Sequence, residues 1–377
     1  MQIRGESALV QEVQDRGLCV ECGGCVGLCP YFRSHRGRVA KLFDCGVDQG
    51  RCHAQCPKTE VDLDAVSQKV VGQPYDASPA GHLLSIWKAR AGSRMQGRAS
   101  YQNGGAVSSL LALAFDSHLV DAAALTDRKG LIPAPKVVTD VDGVLACASS
   151  KYMASPTVSA FHGAMDEGYS SIAMVGTPCQ LTAVGQLRMD GLGRLDKDPV
   201  ALTLGLFCTW SIDTRALLSL AEAKVGGLAI TGMEVTPPPD AAFCVDTEKG
   251  RVSIPLDEVR GAIPEGCAIC PDMTAEFCDI SVGANEADTS WNTLIVRTEK
   301  GRDLIDEAVA LDYLEAMPLA EAEADALFSA SLGKKRRTLA KAQELGLLNS
   351  EEGPSALRMP HKVFESIMAS NRLQEGV

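Results

Sequence analysis

Seven of the chain's 14 cysteines lie within its first 56 residues, at Cys19, Cys22, Cys25, Cys29, Cys45, Cys52 and Cys56, and the other seven are spread over the rest of its 377 residues. A secreted disulfide scaffold would be a short chain behind an apolar signal segment. This chain opens MQIRGESALV, with no apolar stretch of that kind, so the expectation is a reducing compartment in which the cysteines stay free for other chemistry.

Cys19 to Pro30 read C-x2-C-x2-C-x3-C-P. In a bacterial ferredoxin half-motif of this spacing three thiolates wrap one cubane and the fourth cysteine ligates the other cluster. Gly23, Gly24 and Gly27 let the backbone turn tightly and aim amides at the sulfides. A zinc site is the competing reading, but zinc motifs separate two C-x2-C pairs and do not end in C-x3-C-P. The partner half is irregular: Cys45, Cys52 and Cys56-Pro57 give C-x6-C-x3-C-P, with Gln49 near the place of the missing middle cysteine. If Cys19, Cys22, Cys25 and Cys56 hold one cluster, Cys29, Cys45 and Cys52 remain for the second. That cluster is then either [3Fe-4S] or [4Fe-4S] completed by another group, for which Asp48 is the candidate. His53, beside Cys52, reads as a surface residue or a tuner of the cluster.

At about 150 residues per domain the length suggests two or three domains. With 46% apolar and 22% charged residues the chain is globular, and a net charge of −12 argues against general binding to nucleic acid or anionic membranes. The longest mostly apolar stretch, Val200 to Trp210, is far short of the roughly 20 residues that span a bilayer. Glu60 to Pro79 is polar, contains Gly72, Pro74, Ser78 and Pro79, and reads as a linker.

From Leu83 onward strand-like runs alternate with helical patterns. Ser85–Ala91 reads as a strand, and Val107, Leu110, Leu111, Ala114 and Phe115 keep the spacing of an amphipathic helix after Gly104-Gly105. Ala122–Leu125, Ser171–Val175, Val200–Phe207, Ala229–Val235 and Thr293–Arg297 read as further strands, and Cys179–Arg188 as a helix with Pro178 at its start. The class is α/β with a mixed sheet. Pro237-Pro238-Pro239-Asp240 reads as a surface turn, and Leu319–Leu347 as a helix whose Lys334-Lys335-Arg336-Arg337 run is a solvated face or a docking patch.

The segments YQNGGAVSSLLALAF (Tyr101–Phe115), SSKY (Ser149–Tyr152), GTPCQ (Gly176–Gln180), GLFC (Gly205–Cys208), CAICPD (Cys267–Asp272), DISVGAN (Asp279–Asn285) and IVRTEKG (Ile295–Gly301) occur in this order. With the cysteine module, the set resembles the family formed by the beta subunits of coenzyme F420 hydrogenases and dehydrogenases, and its domain order resembles the electron-input subunit of F420H2 dehydrogenases. The resemblance implies residues 1–64 as a dicluster ferredoxin-like module, 65–82 as a linker, 83–168 and 169–318 as two parts of a flavin-binding body, and 319–377 as a helical extension. It also implies FAD, about three [4Fe-4S] clusters and coenzyme F420 as substrate.

Asn103, Gly104 and Gly105 precede a helix whose N-terminus offers donors to a pyrophosphate, although Gly-Gly before a helix is commonly only a turn. In the matched motifs Ser150, Lys151 and Tyr152 fall beside the flavin, with Lys151 the cation for its phosphate or its reduced ring, and Thr177 and Pro178 join the cofactor-binding set. Cys179, Cys208, Cys267 and Cys270 become ligands of a cluster in the body. Cys278 is a spare thiol, and Cys147 and Cys244 are structural. No residue is assigned a catalytic acid or base role, because the cofactors would carry the chemistry.

The expected function is electron transfer between coenzyme F420, by hydride to or from FAD, and partner redox subunits: a hydrogenase, formate dehydrogenase, heterodisulfide-reductase-type or membrane-bound dehydrogenase. Two alternatives use the same residues: another donor or acceptor (a nicotinamide, ferredoxin or a tetrapyrrole), or a non-catalytic electron-wiring subunit. The expected location is cytoplasmic or peripheral to a membrane complex.

Overall fold

The computed structural model describes residues 2–193, 195–236, 242–351 and 355–370. The turn expected at Pro237-Pro238-Pro239-Asp240 lies outside the described residues.

The N-terminal module carries little regular structure, its longest pairing being a short antiparallel hairpin of β1 (Phe32–Ser34) and β2 (Val39–Lys41). The body is built on an eight-stranded mixed sheet. Its strands are β3 (Ser85–Ala91), β4 (Ala122–Lys129), β5 (Ile132–Val138), β6 (Ile172–Gly176), β7 (Val200–Leu206), β11 (Ile280–Ala284), β12 (Asn292–Val296) and β13 (Leu314–Pro318), in the order β13-β3-β12-β11-β7-β6-β4-β5. Pairing is parallel through β4, β6, β7 and β11 and antiparallel at β5, β12 and β13, which makes β3 run with the parallel group. β8 (Ile230–Val235), β9 (Ala242–Thr247) and β10 (Gly250–Pro255) form a separate antiparallel sheet, so the strand read at Ala229–Val235 lies outside the main one.

Sequence explains the placement. All five residues of β6 and of β12 are buried, as an apolar run demands of a central strand. β5 contains Pro133 and Pro135 and sits at the sheet edge, where a missing N–H breaks no ladder. The helix Ala106–Asp116 buries eight of its eleven residues against the sheet.

Two expectations are corrected here. The stretch read as a linker holds a helix, Leu63–Val71, started by the Asp62 side chain accepting from the Ala65 amide and ended by Gly72 at φ +73. Its Val66 packs onto Gly185 of the helix Pro178–Met189 so closely that a Cβ there would stand 2.8 Å from the Val66 side chain. A short amphipathic helix flanked by glycine and proline passes for a linker until its apolar side finds a partner. Lys334 and Lys335, read as solvated, are 3% and 0% exposed on the long helix Glu321–Glu344. This helix lies on the module: Leu332, Leu339 and Ala342 share one apolar core with Cys52, Cys56, Val61 and Leu63.

Candidate electron-transfer site

The cysteines gather into three sets. Cys19, Cys22, Cys25 and Cys56 interact with one another around a cavity also lined by Val20, Gly23, Pro57 and Lys58. Cys52 interacts with Cys29 and Cys45. In the body Cys179, Cys208, Cys267 and Cys270 form the third set, with Cys179 following β6, Cys208 following β7, Cys267 in the short helix Glu265–Ala268 and Cys270 just after it, before β11. The sets are also linked in series, Cys25 to Cys52 and Cys22 to Cys179.

Burial dominates the chemistry of these thiols. It pushes Cys56 and Cys179 up to about 12 and Cys22, Cys25 and Cys208 well above the ordinary thiol range, with the neighbouring thiols adding to the rise. Thiols so placed become thiolates only when a positive group enters among them. The body set has prepared for that charge: the Lys334 ammonium, 3% exposed, donates to the carbonyls of Cys208 and Asp272, each at 2.7 Å. Among the described residues no three of His, Cys, Asp or Glu are drawn together tightly enough to hold one metal ion.

Local geometry serves the ligand loops. Gly23 takes φ +91 and Gly27 φ +89, and a Cβ on Gly23 would stand 2.3 Å from the Pro156 carbonyl oxygen. The Gly24 amide donates to the Cys22 sulfur at 3.4 Å. Thr177 and Gln180 close a capping box around Pro178, and the Thr177 hydroxyl lies 3.3 Å from the Cys179 sulfur. Thr177, expected with Pro178 among the flavin residues, thus also lies beside a thiol of the third set, and the Pro178 carbonyl accepts from the Thr182 hydroxyl at 2.9 Å. Asp48, the candidate to complete the second cluster, is exposed. His53 is fully buried rather than on the surface, facing Glu12 at 3.6 Å. Cys278 is buried against Ala275 and Ser281, Cys147 lies beside Lys151, and Cys244 is buried within β9.

A second candidate ligand region lies at the carboxyl ends of the parallel strands, the edge where open α/β sheets bind ligands. Asn103 to Gly105 lie there beyond β3, and Gln102 ties them to the Ser149–Tyr152 segment by accepting from the Ser150 amide at 2.8 Å and donating to the Tyr152 hydroxyl at 2.7 Å. Lys151 donates to the Cys147 carbonyl at 2.5 Å, and burial lowers its pKa. The glycines have structural work of their own. A Cβ on Gly104 would come within 2.8 Å of the Ala89 oxygen, and Gly105 caps the helix at φ +80. Asn292 accepts from the Ala106 amide at 3.0 Å, whereas the amides of Val107 and Ser108 meet no acceptor among the described residues. Two free donors at a helix start, beside a half-buried lysine, fit an anionic group such as a pyrophosphate. Sequence reasoning missed Gln102, Asn292, Lys58 and Lys334. Only Lys58, directly after Cys56-Pro57, carried a local signal.

Fold and site define a class: an α/β protein with a ligand edge on its sheet and a cysteine-rich module docked beside it. Residues 86–162 match the N-terminal region and residues 169–322 the C-terminal region of the coenzyme F420 hydrogenase/dehydrogenase beta subunit. The chain is 31% identical to the coenzyme F420 hydrogenase beta subunit of Methanococcus voltae over 255 residues, 65% of this chain and 90% of that one. It is 28% identical to an F(420)H(2) dehydrogenase subunit of Methanosarcina mazei, over 82% of this chain and 86% of that one. It is 27% identical to the coenzyme F420-dependent sulfite reductase of Methanocaldococcus jannaschii, over 82% of this chain and 49% of that one. Among solved structures, a chain of the F420-reducing [NiFe] hydrogenase complex from Methanosarcina barkeri matches with a TM-score of 0.65 and 25% identity, covering 71% of this chain and 93% of that one. The chain belongs to the family of coenzyme F420 hydrogenase/dehydrogenase beta subunits.

Proposed function

We propose that the chain is an electron-transfer subunit of an oxidoreductase complex, passing electrons between coenzyme F420 and partner redox subunits through FAD and iron–sulfur clusters. The observation that carries this reading is the serial order of the three cysteine sets, from the sheet through Cys179 and Cys22 to Cys25 and Cys52. When bound, FAD would exchange hydride with F420 and the clusters would move single electrons.

The chain's own residues hold, insulate and orient. Cys19, Cys22, Cys25 and Cys56 would hold one cluster, Cys29, Cys45 and Cys52 the irregular one, and Cys179, Cys208, Cys267 and Cys270 that of the body. Asn103, Gly104, Gly105, Ser150, Lys151 and Tyr152 would line the flavin region, with the Val107 and Ser108 amides toward its phosphates. Thr177 and Pro178 fix the Cys179 loop. Residues 1–64 form the cysteine module, 83–168 and 169–318 the body, and 319–377 the extension that clamps the two. Named relatives belong to hydrogenase, dehydrogenase and sulfite reductase systems, so the terminal partner is set outside the shared region. No helix among the described residues is long and apolar enough to cross a membrane, which fits a cytoplasmic subunit or one attached peripherally to a membrane complex.

The test is anaerobic reduction of the purified protein by F420H2, and separately by NADH, followed through flavin absorbance. Rapid bleaching by F420H2 alone is the expected result. Bleaching by NADH alone would replace the donor, and a flavin-free protein would remove this region from the account.

A further inference from the structure

Three lysines of this chain are buried near the cysteine sets, and they are not equivalent. Lys335 has a carboxylate, Glu276, at 2.8 Å. Lys334 has only the Cys208 and Asp272 carbonyls. Lys58 is 4% exposed and has no hydrogen-bond acceptor or carboxylate partner among the described residues. It lines two cavities at once, one with Cys19, Cys22, Cys25 and Cys56 and the other with Cys179, Cys270, Thr182 and Asp272.

A cation in a cavity lined by thiols stabilises negative charge that arrives there. Asp272 lies in the same cavity but gives its carbonyl to Lys334 and one carboxylate oxygen to the Glu276 amide, at 2.7 Å. Its other carboxylate oxygen is left without a partner, and the thiols of both sets line the two cavities that Lys58 joins. We propose that Lys58 is a positioning residue for electron transfer: a fixed cation between the module and the body that raises the reduction potential of the groups held by both sets, while Lys334 raises that of the body set alone. The proposal rests on the cluster reading above. Each transfer adds one electron to one side and removes it from the other, and no bond forms or breaks. A cation close to both ends stabilises the added charge at either, whereas a cation at one end biases the step toward that end.

The experiment is an anaerobic, EPR-monitored redox titration of the full chain, with iron content measured for every variant. Lys58→Met should shift two potentials negative, Lys334→Met only one, and Lys58→Arg should restore wild-type values. If Lys58→Met loses iron while Lys58→Arg keeps it, the need for charge at that position is shown directly. Wild-type potentials in a fully loaded Lys58→Met protein, or iron loss in Lys58→Met and Lys58→Arg alike, would overturn the proposal and leave the cluster reading standing. A wild-type protein purified anaerobically without iron would overturn the cluster reading and this proposal with it.

Discussion

The Lys335 ammonium and the Glu276 carboxylate meet at 2.8 Å with side chains 0% and 2% exposed, pinning the long C-terminal helix to the loop before β11. Lys335 also donates to the Ser78 carbonyl at 2.9 Å, so one side chain joins three segments distant in sequence. Removing one partner of such a pair leaves a buried charge without compensation. Lys335→Met should therefore cost about 3–5 kcal/mol, and Lys335→Met with Glu276→Gln markedly less, as read by denaturant unfolding. Equal losses in the single and double variants would show that the pair is not the source.

His162 supplies a pH dependence with a defined sign. Burial lowers its pKa from 6.5 to about 4, and its ring joins the module to the body through the Val26 carbonyl at 2.9 Å and the Gln55 amide at 3.0 Å. The unfolded chain binds the proton first as pH falls. Stability should thus be flat above pH 6.5 and decline by about 3 kcal/mol toward pH 4 on account of this residue. His162→Gln should flatten that part of the profile, and an unchanged slope would exclude His162 as its cause.

Arg297, in the IVRTEKG segment, is a clamp rather than a ligand contact. It is fully buried and donates to the carbonyls of Ala80, His82 and Thr274 and to the hydroxyls of Ser281 and Thr274. Arg297→Met leaves those carbonyls unpaired at about 1–3 kcal/mol each, so thermal unfolding should show severe destabilisation. A Tm within a few degrees of wild type, where a loss of 1 kcal/mol shifts Tm by about 2–4 °C in a chain of this size, would contradict the clamp.

Two cysteines of the body separate ligand from filler. Cys208→Ser should lose about four irons per chain, and Cys278→Ser, whose sulfur only meets Ala275 and Ser281, none. Equal iron in both variants would remove Cys208 from the third set.

How far the site was legible follows from how local its signals are. Cysteine spacing and Gly-Gly before an amphipathic helix are read within a dozen residues, and the apolar runs of β6, β7 and β12 announce buried strands. The fate of Lys334 and Lys335 is not local: on a helix this polar, only docking against the Cys208, Asp272 and Glu276 loops of the body decides which lysines lose water. The helix Leu63–Val71 was hidden for the same reason, since its apolar side is short and its partner, Gly185, lies far along the chain. β13 and the β9–β10 hairpin carry mixed, half-buried patterns that sequence alone does not distinguish from loop, and β8, read as a strand, gave no sign of lying in a separate sheet. Gln102 and Asn292 were invisible because their work is to join segments that only the fold brings together.

That the three cysteine sets hold iron–sulfur clusters in series is tested most directly by iron and acid-labile sulfide determination on anaerobically purified protein. About 11–12 irons per chain with matching sulfide are expected. Zinc in place of iron, or iron for a single cluster only, would contradict the serial path.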